Sequence, residues 1–68
     1  MKAATARKLR IHARIRAAFG TAIRECVVTR IEWPHIWVST RLKSGEHREV
    51  RHHYRGLYPL DGPEWKDR

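Results

Sequence analysis

The residues best suited to chemistry are five histidines, one cysteine and a dense set of arginines. His35, His47, His52, His53 and Cys26 are metal-ligand types, but their spacing does not make a site. Zinc centres pair their ligands, as in C-x2-4-C with H-x3-5-H. His47 with His52 or His53 meets the second half of that pattern, and no partner pair accompanies it. His52 and His53 are adjacent, so on a strand they point to opposite faces. No metal or other cofactor is expected. His53, Tyr54, Arg51 and Arg55 offer the acid/base and phosphate-stabilising groups of a metal-free ribonuclease. The same groups serve plain phosphate binding, and the sequence shows no paired carboxylates, glycine-rich phosphate loop or nucleophile motif. The expectation is therefore a chain that is not an enzyme, with the ribonuclease as alternative. Cys26 stands beside apolar neighbours and reads as a small core residue.

Charge supplies the function class. Fifteen Lys and Arg oppose seven Asp and Glu in 68 residues, a formal net charge of +8. Such a balance predicts attraction to nucleic acid, to an anionic membrane or to an acidic protein. Lys2, Arg7, Lys8, Arg10, Arg14 and Arg16 precede the first acid, Glu25. Arg41, Lys43, Arg48, Arg51 and Arg55 form a second cluster, interleaved with histidines and with Glu46 and Glu49. No apolar run has the length of a membrane span, so no membrane partner is expected. The Arg-rich N-terminus has the composition of a transit peptide, a reading set aside because too little chain would remain to fold. A lone cysteine points to a reducing, cytoplasmic compartment.

The elements that must position these groups follow from periodicity. One small domain spans 1–68, divided as a basic helical segment 1–20, a β module 21–60 and a short tail 61–68. From Ala3 to Phe19 the alanines, Leu9 and the arginines are strong helix formers. On a helical wheel Ala4, Ile11, Ile15, Ala18 and Phe19 share a face, with Arg7, Arg10 and Arg14 aligned beside it. Thr5 would cap the start and Gly20 the end. The competing pattern is period two: Leu9, Ile11, Ala13, Ile15 and Ala17 alternate with Arg10, His12, Arg14 and Arg16. Alanine is poor in strands, so the helix is the expectation. From Ala22 the texture is β, with Ile23, Val27, Thr29, Ile31 and Trp33 on the apolar face and Arg24, Cys26, Val28, Arg30 and Glu32 opposite. Pro34 ends that strand.

The run from Ile36 to Arg55 is a hairpin about Ser44-Gly45. A two-residue loop would set charge opposite every core residue. A three-residue loop, Lys43-Ser44-Gly45, pairs Leu42 with Glu46, Thr40 with Arg48, Val38 with Val50 and Ile36 with His52, and puts Gly45 where a left-handed residue is wanted. A one-residue slip turns every side chain over, so the second register is expected. Its outer face carries Trp37, Arg41, Arg51, His53 and Arg55, with Ser39 and Glu49 between them and Trp37 across from Arg51. Asp61-Gly62-Pro63 is a turn, and Trp65 a lid over the domain.

Residues 20–60, about sixty per cent of the chain, resemble a small SH3-like barrel of the Tudor or KOW type. The likeness rests on Val27-Val28-Thr29-Arg30-Ile31, Ile36-Trp37-Val38, the Ser44-Gly45 turn, Val50, Tyr54 and the closing Arg55-Gly56-Leu57. It implies binding of nucleic acid or short peptides on strand edges and loops. The N-terminal segment departs from it, so the expected class is α+β: an amphipathic helix followed by a twisted antiparallel sheet or SH3-like barrel of three to five strands. The function expected is a small basic DNA- or RNA-binding module. Arg41, Lys43, Arg51 and Arg55 would hold phosphates, His53 would add charge near pH 6, Trp37 would stack, and Arg7, Arg10 and Arg14 would form a second contact line. The alternative is a phage or mobile-element inhibitor or adaptor, anti-CRISPR-like, that meets an acidic surface on a host protein or nucleoprotein. Exposed aromatics would also permit a homodimer.

Overall fold

The computed structural model describes residues 1–60; the turn at 61–63 and the Trp65 lid lie outside them. One antiparallel five-stranded sheet dominates: β1 (Arg14–Phe19), β2 (Ala22–Glu32), β3 (His35–Arg41), β4 (His47–His53) and β5 (Leu57–Tyr58). A short helix α1 (Ala3–Ala6) precedes it and a 3-10 turn (Tyr54–Gly56) links β4 to β5. The order across the sheet is β4-β3-β2-β1-β5, a meander whose last strand returns to the first.

The expected helix over Ala3–Phe19 is corrected to one turn, and the period-two reading holds where the sheet needs a strand. Ile15, Ala17 and Phe19 are buried in alternation, and β1 hydrogen-bonds β2 on one side and β5 on the other. Burying an Ile or Phe side chain is worth about 1.5–3 kcal/mol. Helix propensities differ by only tenths of a kcal/mol per residue for these types. His12 at φ +77° also interrupts any helical run into β1. Thr5 lies inside α1 rather than capping it, and Gly20, at φ +68°, occupies a two-residue hairpin loop between Phe19 and Ala22 instead of a helix end. The boundary expected at residue 20 therefore falls inside the sheet.

The apolar face expected for the first half of β2 is also reversed. Cys26 and Val28 are buried, and Ile23 is 46% exposed. Between Val28 and Arg30 the register shifts by a β-bulge: Val28 pairs with Val38, yet Arg30 pairs with Trp37 and Ile31 with Ile36. The strand thus turns Cys26 and Val28 into the core before the bulge and, after it, sets Ile31 on the side of Ile36, where it is 38% exposed.

In the hairpin, β3 and β4 take the three-residue-loop register. Val38 faces Val50, Ile36 faces His52 and Trp37 faces Arg51. The Leu42 amide donates to the Glu46 carbonyl at 2.7 Å, and Gly45 sits at φ +91°. Ile36, Val38, Val28 and Leu57 are fully enclosed, with Phe19, Ile15, Ala17 and Ala6 around them. Buried Thr40 satisfies its hydroxyl by donating to the Glu25 carbonyl at 2.8 Å. The sheet curls over this core without closing. From β4, His52 reaches the Ala18 carbonyl on β1 at 2.9 Å through Nε2, which must therefore carry a proton, and its ring stands edge-on to Phe19.

Two measurements test this packing. Val28→Thr puts a hydroxyl into the core at constant shape and should cost about 1–3 kcal/mol in urea unfolding, whereas Val27→Thr should stay within about 0.5 kcal/mol; similar losses would contradict the face assignment. Burial, and then the Glu25 carboxylate, push the Cys26 thiol from 9.0 up to about 11. The native state keeps that proton where the unfolded chain releases it. Stability is untouched below about pH 9 and falls as pH rises to about 11, by at most about 2–3 kcal/mol. Cys26→Ala should flatten this part of the stability–pH curve, and an unchanged slope would exclude the thiol as its source.

Candidate nucleic-acid interface

On the face of the sheet turned from the core, side chains line up in rows across the strands, because paired antiparallel residues point the same way. One row is Glu32, His35 and His53; the next is Arg30, Trp37 and Arg51; the third is Arg14, Val27, Ser39 and Glu49. Beyond it, Arg16 pairs with Glu25 and Arg41 with His47.

The acids on this face are all engaged. Glu25 pairs with Arg14. Glu32 pairs with Arg30 at 2.9 Å and accepts the Trp37 indole N–H at 2.6 Å. Glu49 accepts from the Thr29 hydroxyl, reaching over β3 to the bulge. Among the described residues no ion pair engages Arg41, Lys43, Arg51 or Arg55. Arg41 leans toward the hairpin tip, its Nη2 lying 4.0 Å from where a Cβ on Gly45 would stand. Lys43 is exposed in that turn. Between Trp37 and the tip the surface sinks into a depression of about 410 Å³, lined by Arg14, Glu25, Val27, Ser39, Arg41 and His47 among others.

A second cluster stands at the opposite end of β3. Trp33 and Tyr54 stack with ring centroids 4.9 Å apart and planes 9° apart. The Arg7 guanidinium lies 4.5 Å from the Trp33 centroid. His53 packs on Tyr54 at 4.4 Å and edge-on to His35 at 5.8 Å, and its Nδ1 accepts from the Arg55 amide. Arg55 lies 5.9 Å from the Tyr54 ring.

Trp37, Arg41, Arg51 and His53 therefore share the outer face, with Lys43 at its tip and Arg55 at its far end. Arg7, Arg10 and Arg14 do not form the expected helical line. Arg7 follows α1 and lies on Trp33, Arg10 is in the loop, and Arg14 opens β1 on the outer face, tied to Glu25. Arg30 was not expected beside Trp37; the bulge alone puts it there, and the sequence hints at it only through the broken alternation at Val27-Val28. Among the described residues no group of three or more His, Cys, Asp or Glu side chains is placed to hold a metal ion, and no helix is long and apolar enough to cross a membrane. No protein-family model, no curated protein and no solved structure matches this chain.

Proposed function

We propose that the chain is a small nucleic-acid-binding module, without enzymatic activity, that grips phosphates with the outer face of its sheet. The observation that carries this reading is the row Arg30–Trp37–Arg51, an indole between two guanidinium-bearing strands, continued by Arg41 and Lys43 with no carboxylate partner among the described residues. Planar guanidinium groups match phosphate geometry, and phosphate neutralisation releases counterions, which makes binding strong and salt-dependent. Arg55 extends the line at one end and Arg14 borders it at the other. Arg7 and Arg10 contribute charge nearby rather than a second ordered row.

The SH3-like reading of residues 20–60 is kept as part of this proposal, on a sheet that is not closed and that also takes in β1. The meander of four strands, the 3-10 turn and the fifth strand back on β1 give the sheet its curl, with β1 drawn from the segment expected as helix. A buried, protonated thiol fits a reducing cytoplasm.

Fluorescence anisotropy with a labelled oligonucleotide tests the proposal. Raising salt from about 50 to 200 mM should weaken binding about tenfold or more. Arg41→Ala and Arg51→Ala should each reduce the slope of log affinity against log salt by about 1. Affinity indifferent to salt, or a stoichiometric acidic protein displacing all nucleic acid on purification, would overturn it.

A further inference from the structure

Glu49 is the anomaly of this face. A carboxylate in the middle of a phosphate-binding surface repels the ligand unless it accepts a hydrogen bond from it. Glu25 and Glu32 are neutralised by guanidinium groups, but the partner of Glu49 is the uncharged Thr29 hydroxyl. Its row, with Ser39, lies between the Trp37–Arg51 row and the Arg41–His47 row. Successive outward rows on a strand are about 7 Å apart. Along β3 the face thus offers, in order, a flat aromatic, a hydrogen-bond acceptor with a hydroxyl, and cations.

We infer that the ligand is single-stranded RNA, with a base on Trp37, its ribose 2′-hydroxyl donating to Glu49, and the following phosphate at Arg41 and Lys43. This rests on the nucleic-acid reading above and names the ligand class. Base, sugar and phosphate follow one another in a nucleotide as these three rows do on the sheet.

The indole N–H bond to Glu32 draws the Trp37 side chain across toward β2 and fixes its position. Trp33 is a poorer platform, because Tyr54 already stacks on it and the Arg7 guanidinium lies over its ring. A duplex keeps its bases stacked on each other and offers Trp37 no ring face unless a base is flipped out. On the outer face Arg51, Arg41 and Lys43, which have no ion pair among the described residues, follow one line, which suits one backbone. The depression beside Ser39 and Arg41, about 410 Å³, has room for a sugar-phosphate unit. The 2′-hydroxyl is the one donor that distinguishes RNA from DNA at such a place.

The test compares short oligouridylate, oligodeoxyuridylate, 2′-O-methyl oligouridylate and a blunt RNA duplex at one salt concentration. Oligouridylate should bind about tenfold more tightly than each of the others, the 2′-O-methyl strand failing because it cannot donate. Glu49→Ala should erase the difference between RNA and DNA by weakening RNA binding. Trp37→Ala should weaken both single strands about tenfold. Equal binding of RNA and DNA strands, tighter binding of the duplex, or tighter RNA binding by Glu49→Ala would overturn the inference. Salt-dependent binding that is equal for all four probes leaves the nucleic-acid reading standing and removes only this one, whereas binding to none removes both. Should either variant fail to fold, the comparison among ligands on the unaltered protein still decides.

Discussion

The bulge at Thr29 is the constraint on which both faces of the sheet depend. Before it β2 lends Cys26 and Val28 to the core; after it the strand is exposed, and Ile31 rather than Arg30 lies opposite the enclosed Ile36. The same irregularity puts Thr29 and Arg30 on the outer face, the first bonded to Glu49 and the second beside Trp37. One additional residue in a strand thereby sets the packing inside and the arrangement of charge outside. A straight strand here would set Arg30 instead of Ile31 beside Ile36, and would take Arg30 away from Trp37.

Electrostatics on the outer face follow from that placement. The chain is strongly basic, yet its basic face is not uniform. Acids on β2 hold Arg14, Arg30 and the Trp37 indole in fixed positions. Exposed ion pairs of this kind add little stability, commonly under about 1 kcal/mol. Their effect is on order: they fix some side chains and leave Arg41 and Arg51 without a carboxylate partner among the described residues. Net charge alone describes attraction at a distance, whereas the pattern of engaged and unengaged groups describes what is held after contact.

Legibility in the sequence varied with how local the determining physics is. The β3–β4 register was readable because two loop lengths lead to opposite burial of Val38 and Val50, and only one is tolerable. The strand break at Pro34 was readable for a similar local reason, whereas Cys26 was readable as core from its residue type and neighbours only, the alternation of β2 having set it opposite the apolar face. The segment 14–19 was not, since Ala17 and Ala18 favour a helix on their own and become strand residues only by pairing with Arg24 and Ile23 on one side and Leu57 on the other. Arg30 escaped notice because a bulge changes side-chain parity without any distinctive residue type. The site was legible as a set of residue types on one hairpin, and its central row was not.

The return of β5 to β1 bears on how the chain reaches its native state. The β3–β4 and β1–β2 hairpins join neighbours in sequence, but Ala17 with Leu57 and Arg16 with Tyr58 join residues some forty positions apart. Closing so wide a loop is entropically slow, and non-local pairings of this sort delay folding relative to local ones. Until Leu57 has left the ribosome, β1 has β2 as its one strand neighbour, and Ile15, Ala17 and Phe19 lack the Leu57 side chain that completes their core.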